Sequence, residues 1–436
     1  MIKENEILAE PQKTFFIDML TRDIGITESI LDLIDNSIHS LIRKKNIDVM
    51  PIITGGYQRK ISKDNSIQIK IDDSKFSILD TCGGISRESA RNGVFLFGRS
   101  EKERGKLGLG LYGVGMKRAF FKLGKLIKII SKVDHNIFQI TINVDKWKNS
   151  KSWSFAFDPD PSIDTLDQFG TMIEIKKLNP QISKLFNIPS IIKEISDRVA
   201  EAYMLFIKNG LHITINGETV ESEFPSFAVK RITPARKTLH VDRVKISIIA
   251  GLAPLESRTP HGWYVFCNGR MILNHDQTRF TGWGTDRFPQ FHSKYNHFIG
   301  QVYFSSTFLD RLPWDTTKSR LVTETPVYQA ALNEMKIQAR PIINTLSKFY
   351  PSQTEEEEML GKELLQDSES VTVDKLPYKD VAFGIKMKKS PPSEITISYK
   401  KPRSEVDRAK KAMGNKHVSN RKIGEFTFEY FLDKET

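Results

Sequence analysis

Residues 30–40 read ILDLIDNSIHS, a pattern that only a two-sided environment can satisfy. On a 3.6-residue period, Ile30, Leu31, Ile34, Ile38 and Leu41 form one apolar stripe that needs a covering layer. Asp32, Asp35, Asn36 and His39 gather on the other side. Two carboxylates and an amide on a helix otherwise buried are costly to desolvate unless something polar binds them. A hydrated Mg²⁺ carrying phosphates meets that need, because it takes hard oxygen ligands and keeps several waters. A plain solvated helix face would show the same residues, so this segment alone does not decide.

Three further segments narrow the choice. Residues 66–71 (SIQIKI) and 76–79 (FSIL) have the composition of two short strands, and the second runs through Asp80 into Thr81, Cys82, Gly83, Gly84 and Ile85. Adjacent glycines after a strand let a ligand approach the backbone. A carboxylate there can accept a hydrogen bond from an exocyclic amine such as that of adenine, although an ordinary turn needs no more than these residues. From Gly105 the chain reads GKLGLGLYGVGMKRAF, with Gly108, Gly110, Gly113 and Gly115 ahead of a helical stretch. Spaced glycines opening onto a helix N-terminus expose N–H groups to an anion. No Gly-Lys-Ser/Thr follows and no strand leads in, which sets aside the Walker and Rossmann patterns. Finally, residues 170–175 (GTMIEI) alternate like a strand.

Taken in order, DLIDNS, LDTCGGIS, GLGLYGVGMKRA and GTMIEI resemble the four boxes of the GHKL ATPase superfamily, over about the first 180 residues. The surrounding wording, including GVGMKRA, is most similar to its MORC and MutL branch. The resemblance implies ATP and Mg²⁺ as ligands and a two-layer α/β sandwich of the Bergerat type, with helices on one face of a mostly antiparallel sheet. By the same resemblance Asn36 ligates Mg²⁺, Asp80 reads the adenine amino group and Gly84 lies beneath the base. Gly110, Gly113 and Gly115 hold the phosphates, and Thr171 supports the adenine contact. Asp35, Lys106, Gly108 and Val114 are further nucleotide-binding candidates. Asp32 stands where relatives place a glutamate as general base. The side chain is one methylene shorter, and a shift near 1 Å can cost about a hundredfold in rate, so slow hydrolysis is expected. His39 also departs from an acidic residue.

A chain of 436 residues implies two to three domains, and 39% hydrophobic content is enough for sizeable cores. No run approaches the roughly 18 apolar residues of a membrane span, and the first residues, MIKENEILAEPQK, lack a signal-peptide apolar region. Two cysteines, Cys82 and Cys267, are too few for a disulfide framework or a Cys-rich zinc site and favour a reducing cytoplasm. The net charge of +12 points to nucleic acid, and a lysine-rich solvated surface accounts for it equally well.

After the first 180 residues, a second α/β unit is expected over 185–350. It has a helix over 191–205, strands over 211–215, 244–250, 263–267 and 298–304, and a closing helix over 335–346. VFCNGRMI resembles a strand-turn-strand of the MutL and MORC transducer domain, and hairpin geometry alone explains its Asn-Gly. Residues 312–321 (LPWDTTKSRL) resemble the transducer loop whose lysine reaches the γ-phosphate, which makes Lys318 a catalytic candidate beside Asp32. Arg320 and Arg279 are nearby cations. Residues 352–385, with Glu355 to Glu358 in a row, read as an acidic linker, and 386–436 as a basic C-terminal segment whose closing aromatics fold back. The expected whole is an ATP-dependent homodimer that closes as a clamp, with the N-terminal segment through Phe16 crossing to the second protomer. DNA bound through the basic surface and an additional protein partner are its candidate associates, and no membrane is expected. A chaperone or signalling ATPase, or a nucleotide-gated scaffold without turnover, are the alternatives.

Overall fold

The computed structural model describes residues 12–45, 61–98, 107–110, 113–161, 166, 169–349, 355–386, 397, 399–414 and 418–435. They fall into two compact units, Met1–Lys386 and Met387–Thr436.

Alternation of apolar and polar residues sets the first sheet. Strands β1 (Ser66–Ile71) and β2 (Lys75–Asp80) pair antiparallel. They bury Ile67, Ile69, Ile71, Phe76 and Ile78 while Gln68 and Lys70 stay exposed. A period of two thus leaves one face covered and one open. β3 (Gly124–Val133) and β4 (Asn136–Asn143) form a hairpin, and β5 (Gly170–Leu178) lies between β3 and β2 with Thr171 opposite Asp80. On the far side, β6 (His212–Ile215) runs parallel to β1 and β7 (Glu218–Thr219) ends the sheet. The order is β4-β3-β5-β2-β1-β6-β7. The last two strands come from sequence beyond residue 185, so this sheet is not completed within the first 180 residues.

Helices α1 (Lys13–Arg22), α2 (Ile26–Lys45) and α3 (Gly115–Leu123) accompany this sheet, with α3 packed on both α1 and α2. Ile30, Leu31, Leu33, Ile34, Ile38 and Leu41 of α2 are all buried, so the helix is covered on more than the stripe side. The Lys13 ammonium donates to the carbonyls of Trp147 (2.9 Å), Ser150 (2.8 Å) and Ser152 (2.5 Å) and lies 4.5 Å from the Trp147 ring. Phe16 packs edge-on against Phe97 and Trp153. Lys13 and Phe16 thus pack on their own chain, and of the segment through Phe16 expected to cross to a second protomer, the residues before Gln12 lie outside the described ones.

Helices α4 (Pro189–Ala202) and α5 (Met204–Lys208), separated at Tyr203, lead into β6 and β7 of the first sheet, and the second sheet follows. Its neighbourhood comprises β8 (Ser226–Val229), β9 (Ile232–Thr233), β10 (Ala235–Val241), β11 (Val244–Leu252), β12 (Gly262–Cys267), β13 (Arg270–Asp276) and β14 (Phe298–Ser305). Five of these form the order β10-β11-β14-β12-β13, in which only the β12–β14 pair is parallel. The long helix α6 (Pro326–Phe349) packs on β10, β11 and β14. Tyr328, Ala331, Met335, Ala339, Ile342 and Leu346 recur at three- and four-residue spacing on its buried side.

Residues 352–385 are not the separate linker expected from their charge. Helix α7 (Glu355–Gln366) precedes β15 (Glu369–Thr372), which pairs with β8, and β16 (Gly384–Ile385) pairs with β9. Leu364, Leu365, Val373 and Leu376 are buried, and that apolar area outweighs the solubility of the glutamate run. The unit Met387–Thr436 contains α8 (Arg403–Ala412) and α9 (Asn420–Glu435), neither with a buried residue. Within this unit the aromatic side chains Phe426, Tyr430 and Phe431 are 50%, 57% and 59% exposed. Among the described residues no helix is long and apolar enough to cross a membrane. The mixed α/β class, with a sheet-and-helix sandwich followed by further α/β structure, is the one expected.

Candidate functional site

Asp32 and Asp35 are each 2% exposed, which excludes the solvated-face reading of α2. The Tyr203 hydroxyl donates to Asp35 Oδ1 at 2.8 Å. Oδ2 accepts from the Arg270 guanidinium and from Lys318 Nζ, the latter at 2.5 Å. Burial pushes this carboxyl up, but the charges of Arg270 and Lys318 and the hydrogen bonds from Lys318 and Tyr203 hold it below the usual carboxylate range. Burial, reinforced by Asp35, pushes the Tyr203 phenol well up; burial opposes the Arg270 charge, and Asp35, Tyr203 and Asp32 together raise it above its ordinary value. With both oxygens occupied, Asp35 joins α2 to the second sheet in this structure, a different set of partners from the nucleotide expected at that position.

Asp32 differs in one respect. Its Oδ2 accepts from Arg118 Nε at 3.0 Å and Nη2 at 2.5 Å. Its Oδ1 lies 3.6 Å from Lys318 Nζ and is buried without a hydrogen-bond donor among the described residues. Asn36 Nδ2 donates to the Asp32 carbonyl one turn back at 2.7 Å, so its Oδ1 is the amide's acceptor atom. His39 Nδ1 accepts from Leu109 N of the glycine segment at 3.3 Å.

Each cation is delivered by a local device. Arg118 sits in the first turn of α3, whose N-cap Val114 supplies no side-chain cap, so the first N–H groups of that helix have no side-chain acceptor at the cap. Gly115 starts the helix so close to Asp32 that a methyl there would stand 3.0 Å from its carboxyl oxygen. Arg270 follows the turn Asn268–Gly269, whose φ values of 47° and 87° are those of a type I′ hairpin. That hairpin does more than reverse the chain: Asn268 Nδ2 donates to the Gly108 carbonyl at 3.1 Å and to the Ser306 carbonyl at 2.9 Å. Lys318 tops a loop tied by Asp315, whose carboxylate accepts from Thr317 Oγ1 (2.6 Å) and Ser319 N (3.0 Å). Trp314 pairs with Leu321 at its base. Lys318 itself has φ 55°, a left-handed conformation that costs a lysine about 1–3 kcal/mol and persists only where its surroundings require it.

At the other end of α2, Ser37 donates to Asp80 Oδ2 at 2.8 Å and Cys82 N donates to Oδ1 at 2.9 Å. Thr171, opposite Asp80, shares a hydrogen bond with Ser131 at 2.9 Å. Gly84 has φ 65°, and a methyl there would lie 2.4 Å from the Lys132 carbonyl oxygen. A methyl at Gly108 would meet His39 Nδ1 at 2.3 Å, so the glycine segment lies directly over α2. Gly110 is also nearest His39, and Gly113 has φ 66°. Lys106 lies outside the described residues.

The structure thus brings Asp32, Asp35, Gly115 and Lys318 into one cluster, with Asn36 bonded to the Asp32 backbone and Gly108 bound to the same hairpin that supplies Arg270. Asp80, Gly84 and Thr171 form a second group around Ser37 and Ser131. Arg118, Arg270 and Tyr203 were missed by sequence reasoning, which looked instead to Arg279 and Arg320. A charged residue at the head of a strand whose first three residues are buried, as in CNGRMI, was the available signal for Arg270.

The neighbouring Lys117 is 1% exposed, donates to the Val94 carbonyl at 3.0 Å, and is lowered by burial from 10.5 to about 7. Between these values the unfolded chain carries a proton that the folded chain lacks, so this group favours folding increasingly as pH rises through the window. Below about pH 7 both states are protonated and the penalty is at its maximum. Lys117→Met is expected to stabilise the protein by about 3–5 kcal/mol at pH 6, with the gain vanishing towards pH 10. Urea unfolding at several pH values measures it; a pH-independent gain contradicts the assignment.

Residues 24–172 match the family described as histidine kinase-, DNA gyrase B-, and HSP90-like ATPase. The match spans about a third of the chain, from the start of α2 to the Gly-Thr of β5, and supports both membership of this region in the GHKL superfamily and ATP binding by it. No curated protein matches the chain.

Proposed function

We propose that this chain binds Mg²⁺-ATP between α2 and the glycine segment and hydrolyses it slowly. The observation that carries this reading is the buried cluster at the start of α3. Three cations, Arg118, Arg270 and Lys318, face two carboxylates, Asp32 and Asp35, and all five are at most 6% exposed. A surplus cation without water is costly, and a bound anion relieves it. The uncapped N-terminus of α3 adds N–H donors and its dipole to the same place.

Among the described residues no group of three or more His, Cys, Asp or Glu could hold a metal ion. The leftover Asn36 Oδ1 suits Mg²⁺, which is commonly held by one or two protein oxygens together with phosphates and waters. When bound, Mg²⁺ supplies charge neutralisation on the phosphates. Asp80 accepts the adenine amino group, and Gly84 leaves room for the base. Asp32 Oδ1 orients and deprotonates the attacking water, while Lys318 stabilises charge on the phosphoryl group being transferred.

Within the superfamily we place the chain beside MORC and MutL, on the strength of the Asn-Gly-Arg hairpin and the lysine loop. On this reading the triphosphate closes the glycine lid, pairs two protomers and forms a clamp on DNA. Support for DNA is the net charge of +12 and the lysine-rich run after residue 386. One observation favours the scaffold reading without turnover: Arg118 already grips Asp32 through two donors, and Lys318 stands beside its other oxygen.

Nucleotide binding, turnover with and without DNA, and light scattering with a non-hydrolysable analogue test the proposal together. Wild type is expected to turn over slowly and to double its mass with the analogue. Asn36→Ala loses nucleotide affinity, and Lys318→Ala keeps ADP affinity but loses turnover. An Asn36→Ala variant that binds Mg²⁺-ATP like wild type removes the proposed metal ligand, and an unchanged mass removes the clamp.

A further inference from the structure

Two cations on one carboxylate oxygen is more than neutrality requires. Asp35 Oδ2 accepts from both Arg270 and Lys318, while Tyr203 holds Oδ1. The two cations are mounted differently. Arg270 is 1% exposed, follows a tight turn at the head of a strand whose first three residues are buried, and lies 5.8 Å from the Tyr203 ring. Its Nε and Nη2 have no acceptor among the described residues. Guanidinium cannot shed its proton in a protein, so this group stays charged where it is. Lys318 sits on a loop, in a left-handed backbone conformation, at the end of a four-carbon stem, with Asp32 Oδ1 3.6 Å away as a second acceptor.

We propose that Arg270 is a positioning residue, the resident counter-ion of Asp35, whose presence lets Lys318 leave that carboxylate for the terminal phosphate of a nucleotide. The proposal rests on the nucleotide reading above. A buried carboxylate stranded without a partner is strongly disfavoured. If Lys318 were the sole cation on Asp35, every transfer of the lysine to a phosphate would strand it. With Arg270 in place, Asp35 remains paired before and after the transfer. The preference for a triphosphate over a diphosphate, which depends on Lys318 reaching the third phosphate, is therefore set in part by a residue that touches neither nucleotide. Arg270 also connects that preference to the second sheet, because it is carried on the same hairpin whose Asn268 holds the Gly108 carbonyl.

The test compares wild type with Arg270→Met, Arg270→Lys, and Arg270→Met combined with Asp35→Asn. Calorimetry measures the affinity for ADP and for a non-hydrolysable ATP analogue. Arg270→Met keeps Lys318 on Asp35 as a counter-ion, so the buried acid is not orphaned. It is expected to weaken the analogue about 10- to 100-fold more than it weakens ADP, so that the preference for the third phosphate is lost. Arg270→Lys retains the preference, and neutralising Asp35 beside Arg270→Met restores it. An equal weakening of both ligands, or an unchanged preference, overturns the proposal. A second readout needs no nucleotide: acetylation of Lys318 in the ligand-free protein, followed by mass spectrometry. Labelling slows about tenfold in Arg270→Met, where the lysine is held alone, and returns in the double variant. Unchanged labelling overturns the exchange even if nucleotide binds. Shifted labelling in a protein that binds neither nucleotide upholds the exchange and removes the nucleotide reading.

Discussion

Asp32→Asn is expected to lower ATP turnover by about two to four orders of magnitude while leaving nucleotide affinity within a few-fold of wild type. The substitution keeps the shape of the side chain and one acceptor for Arg118, but removes the basic oxygen that faces no donor among the described residues. It also leaves a buried guanidinium facing a neutral amide, which costs about 1–3 kcal/mol and lowers the melting temperature. Single-turnover hydrolysis, equilibrium binding and thermal unfolding separate the three effects. A wild type that hydrolyses ATP and an Asp32→Asn variant that does so within twofold would take the base role from this residue. Lengthening the side chain is not a simple gain: Gly115 starts α3 so near that a methyl there would lie 3.0 Å from the Asp32 oxygen. Adding a methylene to a space that close costs about 1–3 kcal/mol.

Gly170→Ala carries the largest structural effect. The methyl group would lie 1.8 Å from the Asp80 carbonyl oxygen and 3.1 Å from Thr81 Cα, both backbone atoms that cannot swing aside. Either β5 slides against β2 or the turn beyond Asp80 is displaced, and both routes move the carboxylate that Ser37 and Cys82 hold in place. A cost of about 3 kcal/mol or more is expected, together with loss of adenine-nucleotide affinity. Gly93→Ala is the control, since nothing lies within 4 Å of a methyl there. Denaturant unfolding of the two variants checks this, and equal stability would mean that the close backbone approach carries no weight.

The difference between what was legible and what was not follows the range of the interactions. The helix 30–40, the turn after Asp80 and the glycine segment are local patterns, and each reads directly from spacing. Lys318 was found only because its loop resembles one known to reach a phosphate; nothing in ten residues of polar loop points at Asp35, 283 positions away. Arg118 had no local signal because its acid lies 86 positions away on a neighbouring helix, and Arg270, marked only by its place in CNGRMI, meets its acid 235 positions away where the second sheet reaches α2. The hairpin β3–β4 had no counterpart among the expected strands, although its turn at Asp134 takes a positive φ of 52° at a residue type that tolerates it. The acidic run after residue 352 misled for a different reason: net charge outvoted Leu364, Leu365, Val373 and Leu376, which are the residues that decide burial.

The parallel pairing of β6 with β1 has a consequence for how such a protein could be divided or recombined. The strand that borders the early sheet is threaded in only after α4 and α5 have passed Tyr203, whose hydroxyl is already spoken for by α2. A cut near residue 180 would unzip a sheet edge and strip α2 of its tether at one stroke. The two halves are stitched rather than hinged end to end, and a shuffled gene that inherits only the first four boxes inherits a torn seam.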